Sequence, residues 1–180
     1  MAIALLVASV GTPAWLARGK PGYSALHHSI SELGEIGSPI GTLTNAYFAA
    51  LGVAAWWLLW SLAEANRELP VEALWMMSGI GFGYVGAALF PCDVGAPLSG
   101  TWRNTAHNAF GAVQYVGGAV GLFTLSDAAS GLGQTVFAWL AGAVAVGATG
   151  ISLLTAYRGL LQRVAELALF VGLVVLAWSP

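Results

Sequence analysis

Six nearly uninterrupted apolar stretches, residues 1–17, 44–63, 71–90, 106–125, 134–155 and 159–178, take up most of this 180-residue sequence. About 20 such residues carry a helix across the hydrocarbon core of a bilayer. Inside lipid every backbone N–H and C=O has to be bonded internally, which leaves helices or a closed barrel. The runs lack the strict alternation of barrel strands, so they predict helices. The chain therefore reads as an all-α, polytopic membrane bundle of six transmembrane helices. It forms a single domain over 1–180, with the lipid bilayer as its surroundings and the cell membrane as its expected multi-pass location. Only 8% of the residues are charged, against about 25% in soluble domains, so a water-facing globule is excluded. A net charge of −2 gives no basic stripe and excludes nucleic acid as a partner.

The first run is read as a short span bent at Pro13 rather than as a secretory signal. Its start carries no basic residue, and Arg18 and Lys20 follow the apolar stretch instead. Small residues recur four apart at Gly79 and Gly83, at Gly117 and Gly121, and at Ala143 and Gly147. Such spacing lets helix backbones approach closely in lipid, within one bundle or across a homo-oligomer. Trp15, Trp60, Trp75 and Trp178 fall near span ends, where amphipathic rings anchor at the headgroup level.

Six crossings bring the first, third and fifth connections to one face of the membrane. The first connection carries Ser24, His27, His28, Ser29, Glu32 and Glu35, and the third carries Cys92, Asp93, Trp102, Arg103 and Asn104. His107 and Asn108 open the fourth span, so all three histidines lie on that face. Residues 27–33 have the character of a short interfacial helix. On it Ser24, His28 and Glu32 share a face at i, i+4, i+8. Ser29 and Glu32 also fit the S-x-x-E capping box, which would leave His27 and His28 just outside the helix. Pro91 ends the third span and places Cys92 and Asp93 at its exit. A histidine at a helix start is disfavoured as imidazolium by the positive dipole end, which suits His107 to metal binding or proton acceptance.

His28, Glu32, Asp93 and His107 are therefore the candidate catalytic set, a two-histidine, two-carboxylate group. His28, Asp93 and His107 are the candidate ligands of a divalent metal such as zinc, which would activate a water. Without metal the same groups form a general acid/base pair, with Ser24 or Cys92 as nucleophile. Ser24, Cys92, Trp102, Arg103 and Asn108 complete a binding pocket, with Arg103 placed to hold a phosphate or carboxylate headgroup. The function expected from this set is an interfacial pocket for a lipid-like or amphipathic ligand, extending to a metal-dependent membrane hydrolase. The alternative is a non-catalytic scaffold, sensor or complex subunit, in which the His and Asp motifs are a hydrogen-bonded clasp. Elsewhere, Arg163 and Glu166 are read as neutralising one another three residues apart. Five of the six basic residues fall on the histidine face, and Arg67 falls on the other. The positive-inside rule then puts the histidine face in the cytoplasm.

The run from Pro21 to Gly34 (PGYSALHHSISELG), followed by Phe90-Pro91-Cys92-Asp93 and by His107-Asn108 ahead of an apolar span, resembles the bacterial and archaeal membrane family called domain of unknown function 998. The resemblance covers nearly the whole chain. It implies a six-helix membrane protein and carries over His28, Asp93 and His107 as motif residues. It implies no particular reaction.

Overall fold

The computed structural model describes residues 1–179 and is all helix and connection among them. Seven α-helices follow in order: α1 (Ala2–Leu16), α2 (Gly41–Ala65), α3 (Val71–Met77), α4 (Gly79–Leu89), α5 (Trp102–Ala128), α6 (Gly131–Leu153) and α7 (Arg158–Trp178). Single 3-10 turns extend α1 (Ala17–Gly19), precede α7 (Thr155–Tyr157) and occupy Ser31–Gly34 in the first connection. Five helices are long and apolar enough to cross a membrane: α1 and α7 with their 3-10 turns, α2, α5 and α6.

The expected third span, 71–90, is two helices broken at Ser78. Its cause is local competition for backbone groups. The Trp56 indole donates to the Ser78 carbonyl at 2.9 Å, and the Ser78 hydroxyl donates to the Trp75 carbonyl at 2.6 Å. Side-chain bonds of this kind divert backbone groups from the helix ladder. Ser78 keeps helical torsions (φ −60°, ψ −20°), its N–H reaches Leu74 O, and its own carbonyl accepts from Phe82 N–H. The chain thus resumes as a helix at Gly79 without turning back.

The helices pack as a closed ring in chain order, α1 against α2, α2 against α4, α4 against α5, α5 against α6, α6 against α7, and α7 back against α1, with α3 lying on α5. Half of the apolar window of α7 is buried, against 28–33% for the other four long helices, so α7 is the element around which the others close. Phe170, Leu169 and Leu173 of α7, with Met77, Ile80 and Leu122, are fully buried at the centre. The large residues left exposed, among them Trp57, Trp75, Trp139 and Phe123, form the apolar outside that a bilayer requires.

Small residues set the closest approaches. A Cβ on Gly79 would come within 2.5 Å of Val113 O, and one on Gly117 within 2.5 Å of Met76 O, so the α3–α4 break and α5 touch backbone to backbone. Gly147 likewise meets Leu161 O across the α6–α7 contact. The glycines at these spacings, Gly79, Gly83, Gly117, Gly121 and Gly147, each meet another helix of the same chain.

Candidate functional site

At one end of the ring the first, third and fifth connections are bonded to one another. Ile36 N–H donates to Cys92 O, and His27 Nδ1 faces Ala156 O at 2.7 Å. The shared end expected from counting crossings is present.

The interfacial segment is shorter than the expected helix over 27–33. A turn at Ser24–His28 brings the His27 and His28 N–H groups to Ser24 O, and only the 3-10 turn Ser31–Gly34 follows. The S-x-x-E box is formed reciprocally. Glu32 Oε1 accepts from the Ser29 amide at 2.7 Å, while Ser29 Oγ accepts from the Glu32 amide at 3.3 Å. With the box at Ser29, the i, i+4, i+8 face of Ser24, His28 and Glu32 does not exist.

Glu32 is the anchor of this end. Its side chain is 5% exposed and pairs with Arg158 Nη2 at 2.6 Å. Arg158 also donates to the carbonyls of Gly95 and Ala96. Those two carbonyls are presented by a turn that passes through left-handed torsions at Gly95 (φ 78°) and Ala96 (φ 42°). The second bridge of the clasp is Lys20 to Glu35 at 2.7 Å, and the other oxygen of Glu35 accepts from Gly95 N–H at 2.7 Å. Both carboxylates of the first connection thus hold the Gly95 turn of the third, directly or through Arg158.

The remaining sequence-predicted residues are engaged one by one rather than gathered. His28 Nδ1 accepts from Ser24 N–H at 2.8 Å. Asp93 accepts from the Thr101 amide and hydroxyl at 2.7 and 2.8 Å, fixing the start of α5. His107 Nδ1 faces Phe90 O at 2.9 Å. Trp102 and Arg103 are exposed and pair as a cation over a ring, 5.5 Å to the centroid. They lie in the first turn of α5, because that helix starts four residues earlier than the apolar run does. Asn108 donates to Pro97 and Leu98 carbonyls. Among the described residues no three His, Cys, Asp or Glu side chains come together as a metal would need. The expected set of His28, Asp93 and His107 is not brought together; His28 and Asp93 bond to nearby residues of their own connections, and His107 faces Phe90 O at the end of α4.

Cys92 is also unsuited to attack. It is fully buried, and burial, with the nearby charges of Glu35 and Glu32, pushes its thiol up to about 12. A thiol that stays protonated is a poor nucleophile. Maleimide should accordingly leave the folded protein unmodified and label Cys92 only after denaturation, as read by intact mass; rapid labelling of folded protein would contradict this burial.

Four residues missed in the sequence, Tyr84, Gln114, Tyr115 and Gln162, organise the ring interior with Glu166. Glu166 on α7 accepts from Tyr84 Oη at 2.7 Å, Tyr115 Oη at 2.8 Å and Gln114 Nε2 at 2.8 Å. It does not neutralise Arg163. One α-turn nearer the helix start, Arg163 donates instead to the Tyr23 hydroxyl and to the carbonyls of Ala25, His28 and Gly159. Gln162 joins the two levels, accepting from Ile30 N–H at 2.6 Å and donating to Tyr115 Oη at 3.1 Å. A Gln, Tyr and Glu inside apolar runs are the available signal, since polar groups at that depth need partners.

Gln114, Tyr115 and Gln162 of this network border a cavity of about 410 Å³. Arg158 and Gln162 of α7, His107 and Asn108 of α5, and Ser29 and Ser31 line its polar end. Further lining comes from Gly111, Gln114 and Tyr115 of α5 and Ala148 and Ile151 of α6. Ala112, Val116, Thr149 and Ser152 also line it and lie on the exposed surface, so it opens sideways between α5 and α6. Of the nine residues expected to form the pocket, His107 and Asn108 reach it.

The polar residues at one end, the apolar ring and the three sequence motifs place the chain among proteins of one family. Residues 1–179 match the family described as "Protein of unknown function (DUF998)". The chain belongs to this family. Neither the curated proteins nor the solved structures contain a match to it. As a DUF998 member it is a protein of membrane-like apolar helices, and any activity has to be argued from its own site.

Proposed function

We propose that this DUF998 chain crosses the bilayer six times, with α3 and α4 together forming the third crossing, and that it binds one lipid-like, amphipathic molecule without catalysing its breakdown. The observation that carries the proposal is the sideways-opening cavity between α5 and α6, lined by polar groups such as Arg158, His107 and Gln114 and by apolar ones such as Ala87, Leu98, Ala148 and Ile151. Its volume falls in the range of small-molecule sites, roughly 300–1,000 Å³. A molecule entering from the bilayer keeps its chain in lipid and brings its head to the polar end. Helices α3 and α4 cover residues 71–89, about 28 Å at 1.5 Å per residue, which approaches the thickness of the hydrocarbon core. Binding rather than hydrolysis is favoured because His107 bonds only to Phe90 O, and the Ser29 hydroxyl serves the Glu32 box. With five basic residues at this end, the positive-inside rule supports a cytoplasmic site.

Gly111 provides the test, because a Cβ there meets nothing within 4 Å and the residue lines the cavity. Gly111→Leu should weaken the binding of monooleoyl lipids, followed by native mass spectrometry in detergent, by about tenfold or more. Gly142→Leu, at an equally open but distant surface position, should leave binding unchanged. Equal binding by both variants would remove the cavity from the function.

A further inference from the structure

We infer that the cavity selects an uncharged, hydroxyl-bearing headgroup over a phosphate or carboxylate. This rests on the cavity being a lipid site and adds what its polar wall can recognise. That wall is built to accept hydrogen bonds. His107 Nδ1 faces the Phe90 carbonyl, which can only accept, so Nδ1 carries the ring proton and Nε2 is left as a bare acceptor. Gln114 has its amide orientation fixed in the same way. Its Nε2 must face the Glu166 carboxylate, so its Oε1 is the free atom. Asn108 spends its amino group on the carbonyls of Pro97 and Leu98, leaving Oδ1. Among the described residues only Thr44 Oγ1 and Asn45 Oδ1 are both sealed from solvent and without a partner. The unpaired His107 Nε2 and Gln114 Oε1 are therefore accessible, and the space their residues line is this cavity.

His107, Gly111 and Gln114 stand at i, i+4 and i+7, so the two acceptors share one face of α5 about 10 Å apart along the axis. Arg158, which lines the cavity, and Arg163, further along α7, are already engaged. Arg158 is held by Glu32 and the Gly95 and Ala96 carbonyls, and Arg163 by Tyr23 and three carbonyls. Behind Gln114 and Tyr115 stands the Glu166 carboxylate, bonded by neutral donors only. An anionic head would meet acceptors and a carboxylate, and the one cation on the lining, Arg158, is already paired with Glu32. An ammonium head would meet neutral acceptors, with the one nearby carboxylate already holding three donors. A hydroxyl donates to the acceptors and in turn accepts from the Ser31 and Ser152 hydroxyls, which line the same cavity.

The experiment compares monooleoylglycerol, monooleoyl phosphatidate and oleylamine, which share one tail, by native mass spectrometry of the detergent-solubilised full chain. Monooleoylglycerol should bind about tenfold more tightly than either charged probe. His107→Phe and Gln114→Met should each bring that ratio toward one. A preference for phosphatidate or for the amine, or a ratio unmoved by both variants, would overturn the headgroup assignment. These outcomes leave the cavity itself standing. Its failure is read separately, by all three probes ignoring Gly111→Leu. The melting temperature of each variant shows whether it is folded, and where Gln114→Met does not fold, a ratio unmoved by His107→Phe overturns the assignment by itself.

Discussion

Arg158→Met should be among the most damaging single substitutions at the polar end, costing about 3–5 kcal/mol. The guanidinium is the one cation paired with the Glu32 carboxylate, whose side chain is 5% exposed, and it also satisfies two carbonyls of the Gly95–Ala96 turn. Removing it strands a buried carboxylate. The Coulombic attraction of a buried pair is largely cancelled by the desolvation of both ions, so the loss comes mainly from the unpaired charge. The double variant Arg158→Met, Glu32→Gln should therefore recover most of the stability lost. Thermal unfolding of the four proteins of that cycle measures it. A cost for Arg158→Met below about 1 kcal/mol, the range of exposed ion pairs, would mean that the bridge does not join the first, third and fifth connections as described.

The second large effect is expected at the centre of the ring. Glu166→Leu removes the common acceptor of Tyr84, Tyr115 and Gln114, which reach it from α4 and α5. An orphaned buried donor costs about 1–3 kcal/mol, while interhelical hydrogen bonds within membranes average nearer 0.6 kcal/mol. Taking both into account, the three together predict a loss of about 2–4 kcal/mol. Glu166→Gln should cost about 1 kcal/mol, because its carbonyl oxygen still accepts from Gln114 and Tyr115 while its amino group donates to the Tyr84 hydroxyl. Denaturation in mixed micelles separates the two variants. Equal effects of Leu and Gln would show that Glu166 acts through its charge and not as a shared acceptor.

Some of this architecture is legible in the residues, and the divide has physical causes. Long apolar runs report helices because lipid leaves the backbone no other partner, and five of the six expected spans appear as continuous helices. The sixth hides a break because Ser78 itself is helical, and its disturbance comes from Trp56 on another helix. The Ser29–Glu32 box could be read because both partners lie within three residues. The same Glu32 gains its ion pair from Arg158, 126 positions away, and no local spacing signals that. Arg163 and Glu166 mislead for the converse reason. Their spacing suits a mutual pair, but Arg163 near the helix start finds the carbonyls of the first connection. Glu166, about 12 Å into α7 by the helical rise, points to the ring centre where Tyr84 and Tyr115 converge. His28 and Asp93 stand out in the sequence for their chemistry, yet each is satisfied by a neighbour within eight residues. The cavity could not be read at all, because glycine and alanine on α5 and α6 carry no chemical signal until the helices are placed.

The topology is tested most directly by single cysteines in a Cys92→Ser background, labelled with a membrane-impermeant maleimide from each side of oriented membranes. Ala25, Ser99 and Ala156 sample the first, third and fifth connections, and Glu68 and Ser130 the second and fourth. With six crossings, the first three label from one side and the last two from the other, and the positive-inside rule makes the first three cytoplasmic. Labelling of Ser99→Cys from the same side as Glu68→Cys would mean that α3 and α4 do not cross together, and the polar end and its cavity would lose their place at one membrane face.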